Sequence, residues 1–133
     1  MLINWSEINS VGVYELDEQH KKLVGLINDL STLLVAPVSD LVLPKFAELK
    51  KLGEEHCMAE EKYFELFNFP EKETHKKEHA LYLEKIAEYA KRYLAGDKAV
   101  ANEALDFSRQ WWVNHINSVD LRYTKCFNEH GLY

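Results

Sequence analysis

The chain has 133 residues, 47% hydrophobic and 29% charged, with 16 basic against 22 acidic side chains and a formal net charge of -6. A chain of this length buries a core without disulfide staples, and an acidic one lacks the lysine or arginine stripe that a phosphate backbone demands, so nucleic acid is not an expected partner. Cys57 and Cys126 fit free thiols in a reducing compartment, MLINWSEINS has neither the positive charge nor the apolar run of an export signal, and no stretch nears the ~18 apolar residues of a membrane span. The expectation is a cytoplasmic protein with no membrane insertion.

Glycine and proline are few and stand where helices would stop, which predicts an all-α chain. Residues 1–17 read as a non-helical arm, with Trp5 packing it against the rest. The first helix is expected over about 18–36, with Asp17 as its N-cap. Pro37 in LLVAPVSD breaks the pattern and leaves Ser39 or Asp40 to cap a second helix over about 41–67. Pro70 in LFNFPEKE and Gly96 in YLAGDK then bound a third helix over about 71–95, and a fourth follows over about 98–128, before Gly131. Long helices on short loops must fold back alongside one another, which predicts a single-domain, antiparallel up-down-up-down four-helix bundle over 1–133.

The histidines carry the chemistry. On a helix a residue four places on sits ~40° around and ~6 Å along, near enough to share a ligand. His56 with Glu60 in HCMAE and His75 with His79 in HKKEH meet that rule. The first pair interrupts the apolar stripe Val42, Phe46, Leu49, Gly53, Phe64 and Phe67. The second heads the stripe Tyr82, Leu83, Ile86, Ala90 and Tyr93. His20 leads Leu23, Val24, Ile27 and Leu34, while Ala104, Phe107, Trp111 and Trp112 lead to His115. All four helices therefore aim imidazoles inward. An HxxxH pair in a lysine-rich stretch is by itself more often a solvated face, and a lone inward histidine more often a satisfied core residue. Jointly, however, these groups would demand several separate buried-polar accommodations, and a buried unpaired Glu60 would cost several kcal/mol. A metal site in the bundle core resolves the conflict.

Five imidazoles exceed the needs of one ion, and carboxylates can bridge two, which indicates a dinuclear centre. The second carboxylate would be Asp120, five residues after His115 in HINSVD. On an α-helix that offset is about 140°, so spacing alone leaves Asp120 open unless it bridges from one side or the helix is distorted there. His130, in NEHGLY, has no partner at ligand spacing. Tyr123 reads either as core or as a hydrogen-bond donor to the site.

The strings GVYELDEQHKKLVGLIN, HCMAEEKYF, HKKEH and WWVNHINSVDLRY resemble the hemerythrin family, in particular the single-domain bacteriohemerythrins, over essentially the whole chain. The family pattern H…HxxxE…HxxxH…HxxxxD is met in full by His20, His56, Glu60, His75, His79, His115 and Asp120. The resemblance implies two iron ions with a solvent-derived oxygen bridge. It places His75, His79 and His115 on one iron, His20 and His56 on the other, and Glu60 and Asp120 across both. It further implies a non-enzymatic dioxygen carrier, store or local supplier, with dioxygen held as hydroperoxide on the five-coordinate ion. The alternatives are a sensor of oxygen, redox state or iron acting through a partner protein, and a diiron enzyme acting on peroxide or nitric oxide. The ferritin-like diiron oxidases use paired ExxH motifs, and no ExxH occurs in this sequence. Two positions depart from the usual pattern: Cys57 stands where phenylalanine is common, and Trp112 where leucine is usual.

Overall fold

The stripes condense into five α-helices in the computed structural model, which describes residues 3–34 and 41–133. They are α1 (Tyr14–Leu33), α2 (Val42–Leu66), α3 (Lys72–Leu94), α4 (Val100–Asn114) and the short α5 (Thr124–Glu129). α1 packs on α2 and α4, α2 on α3, and α3 on α4. Consecutive helices are thus neighbours around a closed ring, the up-down-up-down bundle expected from the short loops. No described helix is long and apolar enough to cross a membrane.

The first helix begins earlier than its residues suggest. α1 starts at Tyr14, and its N-cap, Val13, offers no side-chain bond, so no capping residue marks the boundary. Asp17 is correspondingly not an N-cap: it lies within the first turn and accepts from the Ser10 hydroxyl at 2.5 Å and from the Val11 amide at 2.9 Å. It ties the arm to the helix instead. The cap proposed at Ser39 or Asp40 lies outside the described residues. Pro44 falls in the first turn of α2, where its missing N–H costs nothing.

The arm is part of the core rather than a loose tail. Its Ile3, Ile8, Val11 and Val13 are buried, at roughly 1.5–3 kcal/mol for each fully buried side chain. Trp5 opens a 3-10 turn (Trp5–Glu7) and packs partly against the core, with Lys21 over its ring at 5.6 Å. The Asn28 side chain grips Ile3 twice, accepting from its amide at 2.7 Å and donating to its carbonyl at 2.8 Å. Further on, the Thr124 hydroxyl donates to the Val11 carbonyl and Asn128 to that of Gly12. Gly12 has φ +73, and a Cβ there would meet Thr124 Cγ2 at 2.8 Å, so only glycine passes this crossing.

The largest departure from the expected helices is in the last one. α4 ends at Asn114 and is continued by a π turn (His115–Val119) and a 3-10 turn (Asp120–Tyr123) before α5. The Asn117 side chain within the π turn accepts from the Asn9 amide at 2.8 Å, so the arm clamps the distorted segment.

Candidate metal centre

α1 supplies His20, α2 supplies His56 and Glu60, α3 supplies His75 and His79, and the π turn and its successor supply His115 and Asp120. All seven are buried, none more than 3% exposed. The π turn explains how Asp120 joins them. Its hydrogen bonds run i to i+5, which winds the chain more loosely than an α-helix and brings residues five apart closer to one face. His115 Nε2 and Asp120 Oδ1 are accordingly 2.9 Å apart.

The donor atoms fall into two overlapping groups, each with its atoms within 4.8 Å of one another: Glu60, His75, His79, His115 and Asp120, and His20, His56, Glu60 and Asp120. The carboxylates divide their oxygens between the two. Glu60 turns Oε1 to His79 and His75, at 3.0 and 3.4 Å, and Oε2 to His56 at 3.2 Å. Asp120 turns Oδ1 to His75 and His115, at 3.0 and 2.9 Å, and Oδ2 to His20 at 3.1 Å. The imidazoles converge likewise, His20 Nε2 lying 2.9 Å from His56 Nε2 and His75 Nε2 3.0 Å from His115 Nε2.

These separations test whether a metal fits. Donors at about 2.1 Å from one ion and at right angles to each other stand roughly 3 Å apart, which is the spacing found around both groups. Glu60 Oε1, His79 Nε2 and both oxygens of Asp120 are buried with no hydrogen-bond partner. Buried polar atoms are rarely left so, and here Glu60 Oε1, His79 Nε2 and Asp120 Oδ1 belong to the first donor group and Asp120 Oδ2 turns to His20 in the second. The cluster is able to hold metal.

Charge within it is strongly coupled. Burial works to raise the carboxyl groups of Glu60 and Asp120, yet the surrounding imidazoles hold both well below the usual carboxylate range. Burial opposes the charged histidines too, but Asp120 and Glu60 raise His75 to about 8, and Cys57, Glu60 and Glu61 raise His79 to about 12. At His56 burial wins and lowers it.

Several supporting contacts were not legible as ligand spacings. Tyr123 is both core and donor: its fully buried phenol gives a 2.6 Å bond to Glu60 Oε2, and burial with the nearby carboxylates keeps it protonated. His56 Nδ1 meets Gln19 Oε1 at 2.5 Å, and His79 Nδ1 meets Glu61 Oε2 at 2.9 Å. Both acceptors are immediate sequence neighbours of ligand candidates, a signal that periodicity does not rank. Cys57 is buried, its thiol pushed up by that burial while facing His79. Between ring centres, Trp111 stacks on His115 at 4.2 Å, Phe64 lies 4.7 Å from His75, and Trp112 makes T-shaped contacts with His56 at 5.7 Å and His115 at 6.3 Å. His130 is exposed, stacked on Phe67 and bonded to the Cys126 carbonyl, away from the cluster.

Comparison with known proteins points the same way. The model of the hemerythrin HHE cation binding domain matches residues 11–125. A hemerythrin-like protein of Naegleria gruberi is 33% identical over 120 residues, covering 90% of this chain and 89% of the relative. A myohemerythrin of Theromyzon tessulatum is 34% identical, again over 120 residues, covering 90% and 88%. A crystal structure of a wild-type hemerythrin superposes with a TM-score of 0.86 at 26% identity, covering 95% of this chain and 96% of the other.

Proposed function

Since this chain belongs to the hemerythrin family, we propose that His20, His56, Glu60, His75, His79, His115 and Asp120 hold two iron ions, and that the pair binds dioxygen reversibly as a carrier, store or local supply. The observation that carries this reading is the sharing of Glu60 and Asp120 between two unequal donor groups, one with three imidazoles and one with two. An iron pair bound there supplies the electrons that dioxygen takes up on binding and returns on release.

The protein's part is unequal ligation and exclusion of water. The three-histidine group with both carboxylates offers five protein donors, and the two-histidine group four, so an ion held beside His20 and His56 would have a position left for a small ligand. Trp112 borders that side through His56 and also meets His115, while Phe64 and Trp111 border the other. These aromatic walls keep bulk water from the centre, which favours reversible binding over loss of oxidised product. Tyr123 holds the Glu60 carboxylate in its bridging pose through a proton that stays on the phenol. The free thiols of Cys57 and Cys126 support a cytoplasmic setting.

The deciding experiment exposes the anaerobically reduced, iron-loaded protein to dioxygen, purges it, and follows the charge-transfer absorption. Repeated appearance and loss of the band is the expected result; irreversible oxidation in one cycle would replace carriage by an enzyme or a sensor.

Two smaller outcomes follow from the ligand assignment. His75→Ala is expected to lower iron content sharply while His130→Ala leaves it unchanged, because only the first faces the cluster; equal losses by metal analysis would undo the assignment. Loading is also expected to release protons, since a metal takes the unprotonated nitrogen while His75, at about 8, and His79, at about 12, hold protons at neutral pH in the empty site. Iron binding should therefore tighten as pH rises toward 8. A pH indicator in weak buffer checks it, and ferrous addition without acidification counts against it.

A further inference from the structure

Among the described residues two of the five outer histidine nitrogens make a hydrogen bond, one in each donor group, and these two partners differ in charge, while the outer nitrogens of His20, His75 and His115 have no hydrogen-bond partner. In the three-histidine group His79 Nδ1 donates to the Glu61 carboxylate at 2.9 Å, and the Glu78 carboxylate lies 3.9 Å from His115 Nδ1. In the two-histidine group His56 Nδ1 donates to the neutral amide oxygen of Gln19 at 2.5 Å, and no described protein group accepts from His20 Nδ1. A hydrogen bond to a carboxylate is roughly twice as strong as one to a neutral oxygen and pushes more electron density through the ring to the metal-facing nitrogen. His79 is therefore the richer donor and His56 the poorer.

We propose that Gln19 and Glu61 are positioning residues that make the two metal positions electronically unequal, Glu61 favouring the higher oxidation state in the three-histidine group and Gln19 the lower one in the two-histidine group. The inference rests on the reading of the cluster as a two-iron centre. It adds to the count of donors a second source of asymmetry, one that acts on potential rather than on access. The ion with room for a small ligand is then the harder of the two to oxidise alone.

The test loads the parent protein, Glu61→Gln and Gln19→Glu with two ferrous ions each, measures iron content and melting temperature, and oxidises stepwise with ferricyanide. The yield of the one-electron-oxidised pair, read by electron paramagnetic resonance, gives its comproportionation constant. Both substitutions keep the size of the side chain and an acceptor oxygen facing the imidazole, so a purely structural role would leave that constant unchanged. Unequal potentials predict that Glu61→Gln raises the potential of one ion and Gln19→Glu lowers that of the other. Each should reduce the constant at least tenfold, which is about 59 mV of lost separation. The substitutions act on different ions, so either one alone decides. Parent-like constants in variants that hold two irons and melt normally would overturn the inference and leave the two-iron reading standing. Failure of the parent to take up an iron pair would overturn that reading, and the inference with it.

Discussion

Glu60→Gln is expected to abolish stable binding of the metal pair while the bundle stays folded. Glu60 is fully buried and is one of two carboxylates that face both donor groups, with Oε1 toward His75 and His79 and Oε2 toward His56. Glutamine keeps the shape but puts an NH2 where one of those oxygens stood, and an amide nitrogen is no metal ligand. Whichever way it turns, one group loses a donor and both lose half of their shared negative charge. The affinity loss should exceed the ~10–100-fold typical of losing a partner behind a ligand. Iron content per chain and circular dichroism check it together. A folded variant retaining a full, dioxygen-binding pair would show that Glu60 does not bridge.

The site was legible where helical periodicity and chemistry agreed. His56 with Glu60 and His75 with His79 are four apart on uninterrupted α-helices, and their stripes continue as Leu49, Gly53 and Phe64 on α2 and as Tyr82 and Ile86 on α3, all buried. Asp120 could not be placed by the same rule. Its five-residue offset from His115 is correct only for a π turn, and nothing in HINSVD marks one. That turn is held from outside, by the Asn9 amide on Asn117, a contact spanning most of the chain. The start of α1 escaped for a similar reason. Val13 carries no cap, and Asp17 has the character of one but spends its oxygens on Ser10 and Val11 of the arm. Gln19 and Glu61 lie next to ligand candidates rather than at a helical repeat from them, and their role shows only when the outer nitrogens of the rings are accounted for.

Trp112→Leu should bind dioxygen faster and decay to the oxidised form faster, with iron content unchanged. The indole is wholly buried, its ring centre 5.7 Å from that of His56 and 6.3 Å from that of His115, so it borders both donor groups and stands nearer the one with fewer donors. In a close-packed core so large a ring needs space that a leucine would not, and the structure shows what makes room. A Cβ on Gly53, one turn before His56, would stand 3.6 Å from Trp112 Cζ2, so the glycine accommodates the indole. The indole N–H donates to the Tyr82 hydroxyl at 2.8 Å, which offsets the cost of burying it. The ring is thus firmly seated rather than squeezed, and a well-packed wall beside His56 slows the passage of both dioxygen and water. Leucine would vacate space beside Gly53 and His56 and remove the indole donor from the Tyr82 hydroxyl. The stability loss should approach, without reaching, the ~3–5 kcal/mol of complete aromatic truncation. Stopped-flow binding and autoxidation rates separate the two roles of the ring. Faster rates in both measurements make Trp112 a barrier, whereas parent-like rates in a protein that melts at lower temperature would mean that it only fills the core.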